Sequence, residues 1–293
     1  MKPLFKTLCR GECPSRLKSD FPSVSVCALV VCLCLGGCAG FSSSDSSGPR
    51  PALVFLLAGQ SNMNGLGIQA ELTPEQRAPK PNVWLWHAND KGWQPLLGGA
   101  SNKPGAFGPE VALGATLSQA MPGRTIYLIK HAYGGTNLAE QWRPESGSVY
   151  AGFIEKTDLA LADLAERESA WQVAAMIWQQ GERDSKFEAM ARSYEQNLAA
   201  FVAYNREHFN APGMPFVFTQ IMPLHQMQTP GKLPFAFAPQ VIAGQQALAR
   251  NVPNCHLVSP EGLTRHDDNV HFDTAGQWEL GERLAQAYLE IAR

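Results

Sequence analysis

The sequence predicts an α/β fold: a mostly parallel sheet covered by helices on both faces, a three-layer α/β/α sandwich. Three observations carry this. Apolar runs and helical patterns alternate from about Ala52 to the C-terminus. That order suits parallel strands joined by crossover helices. The apolar runs are continuous rather than alternating with polar residues, as in strands buried on both faces. The residue types that carry chemistry fall directly after those runs, where open α/β sheets place their ligands.

Taken in order, Ala52-Leu53-Val54-Phe55-Leu56-Leu57 reads as the first buried strand. Val83-Trp84-Leu85-Trp86 reads as a further strand, at an edge. Ile126–Ile129, Val173–Trp178, Phe216–Thr219 and His256–Val258 complete the set. Helical patterns lie between them over Pro109–Met121, Phe153–Arg167, Glu188–His208, Gln240–Arg250 and Ala275–Ile291. Pro109 suits a first helical position, and Asp273 or Thr274 suits an N-cap. Phe107-Gly108-Pro109-Glu110 reads as a strand-to-helix connection close to the cleft.

The N-terminal segment stands apart from this pattern. Lys2, Lys6, Arg10, Arg16 and Lys18 form a basic leader, and Val24–Leu35 an apolar stretch too short to span a bilayer. Leu35-Gly36-Gly37-Cys38 follows it, then a tether rich in Ser, Asp, Gly and Pro. This resembles a bacterial lipoprotein signal. The resemblance implies a signal peptide over 1–37, lipidation of Cys38, a flexible tether over 38–51 and an enzymatic domain over 52–293. An ordinary secretory signal or a membrane anchor is the alternative. Ala39 after the cysteine resembles the outer-membrane sorting pattern of Gram-negative lipoproteins. Of the seven cysteines, only Cys255 lies beyond Cys38, so the domain can form no internal disulfide.

Composition narrows the function further. The net charge is −2, with no basic stripe or arginine cluster, which argues against nucleic acid as a partner. About 240 residues after the tether suit one α/β domain. No internal repeat is present, and oligomeric state is not written in the sequence.

Four loop segments carry the chemistry. Gly59-Gln60-Ser61-Asn62-Met63 presents a serine at the end of the first strand. Gly134-Gly135-Thr136-Asn137 follows the third strand, and Gln179-Gln180-Gly181-Glu182-Arg183-Asp184 the fourth. Asp268-Asn269-Val270-His271 lies near the C-terminus. A serine hydroxyl needs a base to take its proton, and the base needs a carboxylate to orient it. Ser61 is therefore the candidate nucleophile, His271 the base and Asp268 its partner within one local turn. An oxyanion needs aimed donors. The backbone amides of Ser61 and Gly135 and the side-chain amide of Gln180 are the candidates.

These four blocks, in this order, resemble those of the SGNH-hydrolase superfamily. The GQSNM and QGE forms resemble its branch of sialate O-acetylesterase-like and family-6 carbohydrate esterases. The resemblance covers the chain from about Ala52 onward. It implies a flavodoxin-like fold, metal-free hydrolysis of O-acetyl esters on carbohydrates, and no cofactor. It also implies that Gln180 stands in for the asparagine of the wider superfamily. Two positions depart from the branch pattern: Gln179 replaces a histidine, and Arg183 a small hydroxyl residue. Arg183 is thereby a candidate for substrate preference. Glu182 is the alternative triad acid, set against a role as a loop cap or ion-pair partner. Trp142 is open between a core position and a sugar-stacking one. His266-Asp267-Asp268-x-x-His271 suggests a metal site only weakly, because no further matched ligands appear.

The expected function is a serine esterase removing acetyl groups from a carbohydrate at the cell envelope, held to the membrane by an N-terminal lipid. Two alternatives stand beside it. A lipid or thioester hydrolase of the same superfamily would want an apolar channel. A non-catalytic glycan-binding lipoprotein would have lost Ser61, His271 or the acid.

Overall fold

The computed structural model describes residues 50–87, 92–98, 101, 103–226 and 234–292. The expected signal peptide, the expected lipidation site Cys38 and all but the last two residues of the expected tether lie outside the described residues. Nine strands are described: β1 (Ala52–Gly59), β2 (Gly67–Ile68), β3 (Val83–His87), β4 (Gly92–Pro95), β5 (Ala106–Phe107), β6 (Ile126–Ala132), β7 (Trp171–Gln179), β8 (Phe216–Thr219) and β9 (Cys255–Val258). The described α-helices are α1 (Ser61–Asn64), α2 (Pro74–Arg77), α3 (Glu110–Ala120), α4 (Ser148–Arg167), α5 (Glu188–Arg192), α6 (Tyr194–His208), α7 (Ala238–Asn251) and α8 (Thr274–Ile291).

Seven strands form the main sheet in the order β4-β3-β6-β1-β7-β8-β9. All neighbours are parallel except β3 and β4. The expected strands are all present. One placement changes: β3 lies one strand in from the edge, because the short antiparallel β4 pairs outside it. β2 and β5 make a separate two-stranded sheet.

All eight residues of β1 are buried. Its side chains alternate between two cores, as the two-residue strand period requires. Val54, Leu56 and Ala58 join Phe153, Phe201, Trp178 and Val241, the face covered by α4, α6 and α7. Leu53, Phe55 and Leu57 join Leu113, Leu117, Leu280 and Leu284, the face covered by α3 and α8. Each large apolar side chain so buried contributes roughly 1.5–3 kcal/mol. The helix expected over Glu188–His208 is two helices broken at Ser193. The Ser193 hydroxyl donates to the Ala189 and Met190 carbonyls, offering the chain a local alternative to a straight helical run. Pro109 lies one residue before α3, as its N-cap residue. Asp273 caps α8 by accepting from the Gly276 amide at 2.9 Å.

The chain order reverses about β1, which lies between β6 and β7. In open parallel α/β sheets such a reversal is where ligands bind, at the carboxyl ends of the strands.

Candidate active site

Three of the four predicted blocks follow adjacent strands: Ser61 after β1, Gly134–Asn137 after β6, and Gln180–Asp184 after β7. The strand ends are stitched together. The Gln60 amide donates to the Gln179 carbonyl at 2.9 Å, and the Tyr133 amide to the Gly59 carbonyl at 3.1 Å. Gly59 has φ +149°, and a Cβ there would stand 2.1 Å from the Gln179 oxygen, so only glycine lets β1 and β7 approach so closely. The turn then starts α1 at Ser61. Met63 anchors it in the core with no exposed surface. From beneath, Lys130 of β6 donates to the Asn64 carbonyl at 2.8 Å and to Glu110 of α3 at 2.6 Å. This ion pair is buried, which requires that both charges be matched.

The fourth block returns from beyond β9 as a tight hairpin. Arg265 bridges Phe272, and the His266 amide donates to the His271 carbonyl at 2.9 Å. Asn269 turns the chain at φ 55°, a conformation asparagine tolerates. Asp268 Oδ1 accepts from the Val270 and His271 amides, each at 2.9 Å. Its Oδ2 is 2.5 Å from His271 Nδ1. His271 Nε2 is then 2.9 Å from Ser61 Oγ.

Electrostatics set the proton positions in this chain. Partial burial works to raise the Asp268 carboxyl. The His271 and Val270 amides and the His271 ring outweigh it and hold the carboxyl below its ordinary range. An ionised carboxylate can only accept, so Nδ1 carries the imidazole proton. Nε2 is left with a lone pair, and the Ser61 hydroxyl donates to it. The structure thus brings Ser61, His271 and Asp268 together in the geometry of a nucleophile, a base and an orienting acid.

Glu182 is placed differently. It is buried, and its Oε1 accepts from the side-chain amides of Asn62 and Gln179, both at 3.0 Å. It makes no hydrogen bond to His271. Its link to the hairpin runs through Asn62. The Asn62 amide also donates to the Val270 carbonyl at 3.1 Å, and its carbonyl accepts from the Phe272 amide at 3.0 Å. Asn62 therefore grips both chain neighbours of His271. Sequence reasoning missed this residue, although it stands directly after Ser61 in the first block.

Gln180 departs from the expected oxyanion role. It is fully buried, and its amide nitrogen donates to the Thr136 carbonyl at 2.9 Å and to Asp184 at 2.6 Å. Both protons are committed within the protein, so the side chain works as a strut between two loops. Asp184 is the other end of that strut and was also missed. It accepts from the Leu138 and Ala139 amides and holds the loop after β6. Burial pushes its carboxyl up to about 6, against the pull of these donors. The Ser61 and Gly135 amides remain as oxyanion candidates. Among the described residues, neither donates to a protein acceptor. Gly135 lies at φ 73° with open space about its α-carbon, and Gly134 borders the Ser61 side chain.

Trp142 is core, not a cleft wall. It has no exposed surface, packs edge-on against Trp178 and donates from Nε1 to Thr136 Oγ1 at 2.9 Å. The exposed aromatic beside the site is Tyr133, immediately before Gly134 and 48% exposed. Its position after an apolar strand and before the glycine pair was the available signal. Arg183 is partly exposed, with its guanidinium 5.1 Å from the Phe187 ring centroid. Among the described residues, no three His, Cys, Asp or Glu side chains gather to hold a metal ion.

With this geometry in hand, comparison with known proteins is specific. The family model described as carbohydrate esterase, sialic acid-specific acetylesterase, matches residues 51–290. The chain belongs to this family. It is accordingly a carboxylic ester hydrolase acting on O-acetyl esters of carbohydrates. A probable carbohydrate esterase of Arabidopsis thaliana, At4g34215, is 27% identical over 257 residues, covering 82% of this chain and 91% of that protein. The crystal structure of the Arabidopsis protein AT4G34215 superposes with a TM-score of 0.66 at 25% identity, covering 82% of this chain and 99% of that one. NanS superposes at 0.62 and 17% identity, covering 83% and 98%. A carbohydrate acetylesterase from Xanthomonas citri superposes at 0.55 and 17%, covering 82% of this chain and 56% of its own. At that identity the last two show a common fold.

Proposed function

We propose that this esterase works through an acetyl-enzyme formed on Ser61, on an acetylated glycan at the bacterial cell envelope. The observation that carries the mechanism is the continuous line from Ser61 Oγ to His271 to Asp268, closed at 2.9 and 2.5 Å. Ser61 Oγ attacks the acetyl carbonyl while His271 Nε2 takes its proton. The negative oxygen that forms faces the Ser61 and Gly135 amides. Collapse breaks the bond to the sugar oxygen, which leaves with the proton from His271. Water then attacks the acetyl-enzyme with His271 again as base, and acetate departs. Asp268 stabilises the imidazolium at each stage.

The family description, and the likeness to a probable carbohydrate esterase, support a carbohydrate acetyl ester as substrate, sialate being the sugar that the family description names. Purified protein is expected to release acetate from at least one member of a panel of O-acetylated saccharides, measured directly as acetate. Turnover of long-chain acyl esters or thioesters with no acetate from any saccharide would favour the lipase or thioesterase reading instead.

The envelope location rests on Leu35-Gly36-Gly37-Cys38 after a short apolar stretch. Cys38→Ala expressed in a Gram-negative host is expected to lose metabolic fatty-acid labelling. Labelling that persists at another residue would remove the anchor from the account. Among the described residues, no helix is long and apolar enough to cross a membrane.

A further inference from the structure

A cavity of about 620 Å³ lies beside the catalytic hairpin, lined among others by Ile68, Glu71, Gln76, His266, Asp273 and Trp278. We propose that it is a saccharide-binding subsite for an uncharged stretch of glycan next to the acetylated sugar. The inference rests on the carbohydrate esterase reading and adds a substrate class to it.

Position is the first argument. His266 belongs both to the cavity wall and to the hairpin. Its amide holds the His271 carbonyl, and its Nε2 lies 3.1 Å from the carbonyl oxygen of Leu66, five residues after Ser61. Ile68 continues that same segment into the cavity. The cavity thus borders both the hairpin that carries His271 and the segment that follows Ser61, where a sugar next to the acetylated one would be held.

Chemistry is the second. The size falls within the range of small-molecule clefts, roughly 300–1,000 Å³. Trp278 and Ile68 offer apolar surface to the C–H faces of a sugar ring; Ile68 is 42% exposed. Glu71, Asp273 and Gln76 offer partners for hydroxyl groups. One oxygen of each carboxylate is already tied down. Thr274 donates to Glu71 at 2.5 Å, and Thr264 donates to Asp273 at 2.5 Å. Among the described residues the other oxygen of each carries no protein hydrogen bond, and it can accept from a sugar hydroxyl in a charge-assisted bond. The Gln76 carbonyl is held by the Thr73 amide, leaving its NH₂. These anchored groups need little ordering on binding, which favours affinity.

Charge is the third. Two carboxylates line the cavity, and among the described residues no Lys or Arg does. A sugar acid placed here would bring its carboxylate against Glu71 and Asp273 without a cation to pair it, which costs free energy. A neutral sugar meets the two carboxylates as acceptors for its hydroxyl groups and the Gln76 NH₂ as a donor, with no like charge opposed. The cavity therefore selects for neutral glycan over sialate at this subsite.

The test compares kcat/KM on an acetylated xylo-oligosaccharide, on 9-O-acetyl-N-acetylneuraminic acid and on 4-nitrophenyl acetate, for wild type, Glu71→Gln, Glu71→Lys and Ile68→Trp. The deacetylated oligosaccharide serves as competitive inhibitor. Glu71→Gln and Ile68→Trp are each expected to lower the ratio of oligosaccharide to aryl acetate kcat/KM by about three- to tenfold, mainly through KM. The inhibition constant should weaken by a similar factor. Glu71→Lys should shift preference toward the acetylated sugar acid. Ratios and inhibition constants unchanged in all three variants, with wild type active on the oligosaccharide, would overturn the subsite alone. Cleavage of aryl acetate with no acetate released from either saccharide would overturn the carbohydrate reading and the subsite with it.

Discussion

Ser61→Ala is expected to lower kcat on any acetyl ester by about 10⁴- to 10⁶-fold, the range seen when the nucleophile of a serine triad is removed. The loss is large because the variant has no atom to form the acetyl-enzyme. His271 and Asp268 are then left arranged around nothing. It is not total, since the Ser61-position and Gly135 amides still face a developing oxyanion, and a residual rate above that in water remains. The fold should survive. Ser61 is only partly buried, and its hydroxyl contacts His271 rather than the core. Circular dichroism and the urea midpoint should match wild type. Steady-state kinetics on one acetyl ester checks the prediction, and a variant retaining more than about a tenth of the rate would remove Ser61 from the mechanism.

Asp268→Asn is expected to cost on the order of 10⁴-fold in kcat, as in serine triads generally. The hairpin explains why the effect should be so severe. The Val270 and His271 amides both donate to Asp268 Oδ1. In the variant they hold the carbonyl oxygen there, which turns the NH₂ toward His271 Nδ1. Nδ1 must then accept, the proton moves to Nε2, and the ring can no longer take a proton from Ser61. Glu182→Gln should behave differently. Its carbonyl can still accept from Asn62 and Gln179, so the grip of Asn62 on Val270 and Phe272 persists. A loss of about tenfold or less is expected, in keeping with a neutral hydrogen bond replacing a charged one. Asp268→Asn at near wild-type rate with Glu182→Gln inactive would transfer the acid role to Glu182.

The comparison of these two acids shows what sequence can and cannot disclose. Asp268 and His271 are three residues apart, so their contact is local and spacing alone points to it. The position of Glu182 depends on Asn62, 120 residues away, and no local rule reports that. Gln180 is similar. Its motif marks it as important, but Thr136 and Asp184 decide that both its amide protons face inward. Trp142 follows the same logic, since Trp178, Phe153 and Phe201 enclose it only once α4 and α6 are packed. The parallel strands were legible because burial on both faces leaves continuous apolar runs such as Leu53–Leu57. β4 was not, because Gly92-Trp93-Gln94-Pro95 is short, carries Gly and Pro, and pairs only at the sheet edge. The break at Ser193 also escaped the periodic pattern, which continues across it.

The central claim is a covalent acetyl-enzyme on Ser61, activated by His271. The most direct measurement is acid quench of the enzyme during turnover of 4-nitrophenyl acetate, followed by proteolysis and peptide mass spectrometry. The account predicts one added acetyl group on the peptide containing Ser61, formed within the first turnover and absent from Ser61→Ala and His271→Ala. Acetyl found on another residue at the rate of turnover, or full activity with no acetylated peptide and no pre-steady-state burst of 4-nitrophenol, would contradict it.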